Sequence, residues 1–182
     1  MTTESLRGQL LIASPALIDP NFRRTVVLVV AHDEDGAVGV VLNRTTETEV
    51  GDAVPELAEL VEPGDLVSIG GPVQTEAVVV LAEWDDVDEA GSLVFDDVGL
   101  MGSEAEAERV AAATRRVRVF AGYAGWGGGQ LEAELEEPSW VLETAGPDDV
   151  FGDEADLWAT VLRRKGGVFK LVATMPEDPS LN

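Results

Sequence analysis

Short apolar runs dominate the chain, and their spacing predicts strands more often than helices. Residues 25–31 (TVVLVVA) are β-branched and apolar on both faces, which is typical of a central strand. Residues 37–42 (AVGVVL) follow a polar turn at 32–36, so the two runs predict a β-hairpin. Further strands are predicted at residues 8–13, 66–69, 73–81, 117–120, 140–142 and 168–173.

Helical signals are fewer in the first two thirds of the chain. Pro55 predicts the first position of a short helix that turns Leu57, Leu60 and Val61 inward. Ser103, with Glu106 three residues later, has the spacing of a capping box and predicts the start of a second helix. We therefore expect both helices to lie between the predicted strands.

The last third of the chain carries two more helical predictions. Residues 130–136 alternate apolar and polar side chains as a strand would, but their residue types favour a short helix, which we predict. A final helix is predicted from about Asp153 to the basic residues 163–165 that precede Gly166, because acid at its start and base at its end match the helix dipole. The residues that this helix is expected to bury are Ala155, Trp158 and Leu162.

The order of these elements indicates the fold class. Strands outnumber helices and occur both in hairpins and beside helices, which predicts an α+β fold with a mixed, largely antiparallel sheet and short helices. The length fits a single domain, residues 1–182, and no linker divides it. Hydrophobic residues make up 45% of the chain, enough for a sizeable core, and residues 177–182 are predicted to form a polar tail.

The charge of the chain narrows its expected partners. There are 35 acidic and 12 basic residues, and residues 51–100 contain thirteen acids but neither Lys nor Arg. Because such a field repels polyanions, we expect no nucleic acid as a partner and no binding to anionic membranes. No apolar run approaches the roughly 18 residues that span a bilayer, and residues 1–8 lack a secretory signal. We expect a soluble cytoplasmic protein.

His32 is the only histidine, and Cys is absent, which removes thiolate catalysis and Cys-based zinc sites. A general base needs an orienting partner and a cleft, whereas a histidine at a strand end more often makes a structural hydrogen bond. We therefore predict no catalytic residue, no metal site and no cofactor. His32 is kept as a candidate binding residue.

Three arginines gather at the open end of the predicted hairpin. A turn centred on residues 34–35 would place Val27 near Leu42 and Thr25 near Arg44. The residues collected there are Asp19, Arg23, Arg24, Asn43 and Arg44. Guanidinium groups bind carboxylate or phosphate through paired hydrogen bonds, so one interpretation is a site for a small anion. The other, favoured because acids are plentiful, is internal ion pairing with Asp19 and Glu47.

The most distinctive stretch is rich in glycine and aromatic residues, GYAGWGGGQLE at residues 122–132. It contains neither of the common phosphate-binding glycine motifs and no basic residue. Glycines before a helix can cradle an anion, but they equally permit tight packing against Tyr123 and Trp126. We predict a tight turn that packs Trp126 and starts the helix at Gln130, with Glu132 near the helix start.

Several separated motifs occur in a defined order. They are GQLLIASP at residues 8–15, DPNFRRTV at 19–26, GAVGVVLNR at 36–44, GGP at 70–72 and the glycine-aromatic stretch, with Ser139, Trp140 and Trp158 behind it. From about residue 8 to residue 176 this order resembles the AlgH/YqgE family of bacterial proteins. The resemblance implies a single-domain α+β fold built from two intertwined α+β motifs, and it implies no catalytic roles.

The resemblance also marks individual positions. The residues that match the family motifs are Asp19, Arg23, His32, Asn43, Gly70, Gly71, Gly122, Tyr123, Trp126, Gln130 and Glu132. The family usually has an acidic residue before the histidine, where this chain has Ala31, and a second histidine after the GGP strand, where residues 78–82 read VVVLA. Both departures count against a histidine–carboxylate mechanism in this chain.

Three functional hypotheses follow. The leading one is a non-catalytic binding or regulatory module whose ligand is a protein partner or a small metabolite. The alternative is an enzyme for a small anionic substrate, with the hairpin arginines and His32 in one cleft; the predicted register separates His32 from Thr25 by about 23 Å. The third, direct DNA binding by a transcriptional regulator, comes from the family name and is disfavoured by the charge.

Overall fold

Ten strands run through the part of the chain that the computed structural model describes, residues 4–153 and 155–176. Their bounds are β1 Gln9–Ala13, β2 Val26–Asp33, β3 Gly36–Val41, β4 Thr45–Glu49, β5 Leu66–Ile69, β6 Val73–Trp84, β7 Ser92–Phe95, β8 Val98–Leu100, β9 Thr114–Gly127 and β10 Trp140–Thr144. Every predicted strand except the one at residues 168–173 is confirmed, several with longer extents. The predicted polar tail at 177–182 lies outside the described residues.

Short helices connect the strands in the described ranges. The α-helices are α1 Val50–Ala53, α2 Ala107–Ala113, α3 Gln130–Glu136, α4 Pro147–Phe151, α5 Leu157–Lys165 and α6 Phe169–Val172, and 3-10 helices occupy Pro55–Leu60 and Val87–Glu89. The helix predicted at residues 130–136 is α3, with the predicted bounds. The last predicted helix ends before Gly166 as expected, but α5 begins only after the left-handed residue Asp156, so Ala155 is exposed rather than buried.

The strands join in the order β10-β1-β2-β3-β9-β6-β8-β7, with β4 paired to β5 and β5 paired to β9. Only the β5–β9 pairing is parallel among the described strands; the others are antiparallel. This confirms the prediction of an α+β fold with a mixed, largely antiparallel sheet.

Three hydrophobic clusters lie on the faces of this sheet. The first contains Phe120 and the side chains of β1, β2 and β3 that point toward α5. The buried Trp158 of α5 belongs to the same cluster. The second lies on the opposite face of β1 and β2, around Trp126 and Trp140. The third packs α1, α2 and the first 3-10 helix against β6 and β9, around the fully buried Trp84. The long strand β9 contributes to all three clusters and is the common framework of the fold.

Two local predictions are wrong for reasons of tertiary context. The predicted capping box fails because the chain turns at Ser103, and α2 begins only after Glu106, whose side chain makes no cap hydrogen bond. Residues 168–173 contain α6 instead of a strand. Periodicity cannot separate a short apolar strand from a buried helical turn, and the left-handed Gly166 and Gly167 redirect the chain before α6 begins.

The hairpin register differs from the prediction by one residue. Val27 pairs with Val41 rather than with Leu42, although the turn lies where it was expected. The cause is a β-bulge between Val29 and Ala31, which inserts one extra residue into β2. The open end of the hairpin therefore carries the same residues as predicted, in a shifted alignment.

The glycine-aromatic stretch is largely extended, which corrects the prediction of a tight turn. β9 continues through it to Gly127, and only Gly128 and Gly129 form a turn before α3. Glycine is needed because neighbouring backbones approach closely: a Cβ on Gly36, which pairs with Gly127, would lie 2.2 Å from the carbonyl oxygen of Trp126. The packing part of the prediction holds, since Trp126 is buried at 7% exposure.

Candidate functional site

The predicted binding residues separate into three groups and do not share one cleft. The turn end of the β2–β3 hairpin holds His32, Trp126, Gln130 and Glu132. The centre of the sheet holds Gly70, Gly71 and Tyr123. The open end of the hairpin holds Asp19, Arg23, Arg24, Asn43 and Arg44. The contacts within each group decide which ligand it could bind.

His32 is buried and engaged at both ring nitrogens. Its side chain is 2% exposed; Nδ1 accepts the Leu6 N–H at 2.9 Å, and Nε2 lies 2.5 Å from Glu132 Oε1. Because Nδ1 accepts, the neutral ring carries its proton on Nε2 and donates it to Glu132. The backbone N–H of Glu132 first, and then the His32 ring, hold the pKa of Glu132 below its ordinary value. His32 has a carboxylate partner after all, but no free nitrogen for a substrate.

The neighbouring residues of this group also make structural contacts. Gln130 accepts the Gly127 N–H at 3.0 Å and donates to Glu134 at 3.0 Å, which ties the end of β9 to α3. Glu134 Oε1 also accepts the indole N–H of Trp126 at 3.4 Å and of Trp140 at 3.1 Å. The two indoles and Phe22 form a cluster of rings with centroids 5.8 to 6.4 Å apart. The contacts at this end of the hairpin are therefore structural, because they hold α3 against the sheet.

Gly70 and Gly71 directly follow the end of β5 and lie against the backbone of β9. The Gly70 N–H donates to the Ala121 carbonyl at 2.8 Å, and its own carbonyl accepts from Val41 at 2.8 Å, so β5 is held between β9 and β3. A Cβ on Gly70 would lie 2.2 Å from the Gly122 carbonyl oxygen, and a Cβ on Gly71 would lie 2.2 Å from the Tyr123 carbonyl carbon. These glycines are explained by close backbone contact alone.

At the open end of the hairpin, Arg44 and Asn43 fix the backbone of the loop before β2. The Arg44 guanidinium donates to the carbonyls of Pro20 at 2.8 Å, Asn21 at 2.7 Å and Arg23 at 3.2 Å. Burial lowers the pKa of Arg44, and the nearby charge of Asp19 acts in the opposite direction. Asn43 accepts the Val26 N–H at 2.9 Å and donates to the Arg24 carbonyl at 2.8 Å.

Arg24 is held in an unusual position. Its backbone is left-handed, with φ of 56°, and its guanidinium lies 4.0 Å from the ring centroid of Trp158. One of its N–H groups donates to the Met175 carbonyl at 2.9 Å, and the Trp158 indole is fixed in turn by the Ala13 carbonyl at 2.8 Å. Arg23 next to it is exposed, and its side chain donates no hydrogen bond within the described ranges.

These arginines line one cleft of about 760 Å³ between the loop before β2 and the start of α5. Its walls are Pro20, Arg23, Arg24, Asn43 and Arg44 on one side and residues 155–159 on the other. Asp156 is the only carboxylate among the described residues of these walls. Trp158 was predicted as a core residue and is one, but it also supports the cleft wall, which its helical spacing alone did not indicate.

The arginines of the cleft differ from four arginines elsewhere in the fold. Arg109, Arg115, Arg116 and Arg164 each form a salt bridge with at least one carboxylate. Among the described residues, Arg23, Arg24 and Arg44 form none, which overturns the favoured interpretation of pairing with Asp19 and Glu47. The cleft therefore concentrates positive charge that no described carboxylate neutralises by direct contact.

The best-paired arginines meet at Glu83, which gives a test at acidic pH. Glu83 is 7% exposed and accepts from Arg116 Nε and Nη2 at 3.0 Å and from Arg115 Nε at 3.1 Å. The hydrogen bonds from Arg116, the largest cause, hold the pKa of Glu83 below its ordinary value. A depressed carboxyl pKa stabilises the fold above the unfolded value, and this contribution is lost as the pH falls.

We expect Glu83→Gln to lower the free energy of unfolding by about 2 kcal/mol at neutral pH, a figure at the low end for a buried pair because both arginines stay partly hydrated. Urea denaturation at several pH values should show the difference from the parent protein shrinking as the pH falls below the ordinary glutamate pKa of about 4.3, because the glutamate of the parent protein becomes protonated there. Glu76→Gln on the exposed part of the same strand is the control. A difference that stays constant with pH would contradict the ionic origin of the effect.

Two other features are absent from residues 4–153 and 155–176. No helix in these ranges is long and apolar enough to cross a membrane. No group of three His, Cys, Asp or Glu side chains in the same ranges is placed to hold a metal ion. Of the three groups of predicted residues, the open-end cleft has the clearest ligand chemistry, because its arginines form no salt bridge with a described residue.

Comparison with known proteins agrees with this architecture along nearly the whole chain. The family model described as AlgH-like matches residues 10–170. A UPF0301 protein of Streptomyces coelicolor is 47% identical over 186 residues, covering 98% of this chain and 96% of that protein. A UPF0301 protein of Mycobacterium tuberculosis is 42% identical over 186 residues, covering 96% and 90%.

Two solved structures share the fold. The crystal structure of a protein from Corynebacterium diphtheriae superposes with a TM-score of 0.86 at 28% identity and covers 96% of this chain and 94% of that one. The solution structure of the AlgH protein from Pseudomonas aeruginosa superposes with a TM-score of 0.69 at 31% identity and covers 97% and 99%. The names of these proteins state no reaction, ligand or partner.

Proposed function

The chain belongs to the AlgH-like family, and from that premise we propose that it is a non-catalytic binding module for a small anionic metabolite. The proposed site is the cleft of Arg23, Arg24 and Arg44. The observation that carries the proposal is the lack of a salt bridge at these arginines within the described residues, while four others in the same acidic chain are paired. Guanidinium groups that form no salt bridge offer hydrogen-bond donors and positive charge to a carboxylate or phosphate.

The roles of the three arginines differ. Arg44 uses its donors on three backbone carbonyls, so it supplies charge and holds the loop. Arg24 is preoriented on Trp158 and keeps donors beyond the one bonded to Met175. Arg23 is exposed and has no described hydrogen-bond partner, so it is the direct contact to the anion. Preorientation of Arg24 lowers the entropy that binding costs.

The geometry gives little support to catalysis at this cleft. His32 is near the other end of β2, about 26 Å from Arg24 at roughly 3.3 Å per residue, and both of its nitrogens are occupied. The enzyme hypothesis that combined His32 with the arginines therefore loses its proton carrier. Direct DNA binding is disfavoured by the formal net charge of -23, which repels the phosphate backbone.

Arg23→Ala is expected to weaken binding of a small anion by about tenfold, because one charge-assisted hydrogen bond is worth roughly 1.5 kcal/mol. The measurement is titration calorimetry with inorganic phosphate, pyrophosphate and citrate, accompanied by tryptophan fluorescence, which reports on Trp158 beneath Arg24. The parent protein should bind at least one of the three anions, and the binding should weaken with added salt.

Arg163→Ala is the matched control, since Arg163 is an exposed arginine of α5 outside the cleft and its replacement removes the same charge. An equal loss in both variants would mean that only net charge matters. That result, or the failure of all three anions to bind the parent protein, would count against the proposed site.

A further inference from the structure

One side of β9 lacks a partner strand over part of its length. β6 pairs with β9 from Thr114 to Tyr123. On the opposite side, β5 reaches only Phe120 and Ala121, and β3 pairs only from Ala124 onward. Within the described residues, no strand therefore covers residues 114–119 of β9 on that side. An exposed row of backbone donors and acceptors is a template for another strand.

The hydrogen bonds around this stretch show which residues face the open side. The Gly70 N–H donates to the Ala121 carbonyl, so Ala121 points toward β5. Alternate residues of a strand point their N–H and C=O groups the same way, so Val117 shares this direction, while Arg116 and Arg118 direct theirs to β6. Val117 thus presents both backbone groups to the open side, opposite its neighbour Ala82 on β6.

A groove of about 510 Å³ lies along this open edge. Its floor is the edge of β9, residues 115–119. Leu60 and Val61 line it from one hydrophobic cluster, Val150 and Phe151 line it from another, and Leu66 at the start of β5 lines it as well. The groove is thus a slot in line with β5, with apolar residues on both faces, which suits an extended segment with alternating side chains.

The charges around the groove favour one kind of segment. Arg115, Arg116 and Arg118 line it. Four carboxylates, those of Glu83, Asp85, Asp97 and Asp148, already bind the first two, and Arg118 donates to the Val150 carbonyl and to Ser68 Oγ. Glu62 and Asp65 on the rim form no salt bridge with any described residue. The carboxylates thus outnumber the guanidinium groups, and the field attracts basic side chains.

We propose that this groove binds an extended, basic segment of a partner protein, which adds as a strand to β9 beside Val117. Main-chain hydrogen bonds to Val117 provide affinity, apolar side chains fill the walls, and a Lys or Arg of the segment meets Glu62 and Asp65. The proposal is independent of the anion cleft, since the two sites share no lining residue. The groove would bind a protein partner, whereas the cleft would bind the small anion.

Backbone hydrogen exchange followed by NMR tests the edge directly. In the free protein at low concentration, the Val117 amide should exchange at least tenfold faster than that of Arg116, which is bonded to β6. The probe is an acetylated, amidated peptide of sequence Lys-Val-Thr-Val-Thr-Val-Lys. Saturation with it should protect the Val117 amide, and the same peptide N-methylated at alternate residues should bind at least tenfold more weakly, because it cannot complete the strand pairing.

Charge variants of the protein and of the peptide distinguish the proposed recognition from nonspecific binding. Glu62→Lys should weaken binding of the basic peptide at least fivefold, whereas Glu59→Lys, on an exposed residue that does not line the groove, should change it less than twofold. The version of the peptide with Glu at both ends should bind more weakly than the basic one. Protection of Val117 in the free protein, whether by another segment of the chain or by a second copy, would overturn the proposal. So would an absence of peptide-induced protection at Val117.

Discussion

Gly71→Ala should lower the free energy of unfolding by about 4 kcal/mol or more, a large part of the roughly 5–15 kcal/mol typical of a domain. A Cβ at this position would lie 2.2 Å from the Tyr123 carbonyl carbon, 2.3 Å from its oxygen and 2.5 Å from the Ala124 nitrogen. All three are backbone atoms of β9, so no side chain can rotate away. The φ of 156° adds a conformational cost for any residue with a Cβ.

Urea denaturation of the purified variant, together with its soluble yield, measures this effect. Gly64→Ala is the control that separates the two causes, because Gly64 also has a positive φ, 94°, but nothing lies within 4 Å of the position that an added methyl group would take. It should cost only about 1 kcal/mol. If Gly71→Ala were no more destabilising than Gly64→Ala, the close contact between β5 and β9 would not be the reason for glycine at this position.

Glu134→Ala should lower the free energy of unfolding by about 3 kcal/mol. The carboxylate accepts the indole N–H groups of Trp126 and Trp140, which are 7% and 6% exposed, so its removal leaves two buried donors without a partner. Each such donor costs about 1–3 kcal/mol. The loss should also release Gln130, which donates to the same carboxylate and holds the end of β9.

Two variants of the same helix sharpen this test. Glu134→Gln keeps an oxygen for the indoles and should cost about 1 kcal/mol, while Glu136→Ala, on an exposed residue, should be nearly neutral. Unfolding in urea gives the free energies, and the tryptophan emission of the folded protein should shift only in Glu134→Ala. A loss below about 1 kcal/mol in that variant would show that the indoles find water or another acceptor.

The roles of Glu134 and of the His32–Glu132 contact could not be predicted from the sequence. The sequence predicted a structural hydrogen bond for His32 but no carboxylate partner, because this chain has Ala31 where the family usually has an acidic residue. The partner comes instead from α3, a hundred residues later, because β9 returns along β3 and places α3 beside the hairpin turn. Local spacing carries no information about such a contact.

The open-end cleft was predicted in part. Arg23, Arg24, Asn43 and Arg44 line one cleft, as the hairpin predicted, whereas Asp19 does not line it; the bulge in β2 changed only the alignment. Whether acids neutralise these arginines was predicted wrongly, because pairing depends on which loops pack nearby. Asp156 is the only carboxylate among the described lining residues, and the opposite wall is the start of α5 with Trp158.

The elements that depend on neighbours in the chain could be predicted from the sequence. The β2–β3 hairpin, α3 and the end of α5 before Gly166 follow from side-chain period, residue type and helix-terminal charge, all of which act over a few residues. The tertiary structure alone decided that the glycine-aromatic stretch continues β9, that His32 is buried against Glu132, and that part of β9 has an open edge. These outcomes depend on the close approach of backbones and side chains that are far apart in the sequence, where packing outweighs local preference.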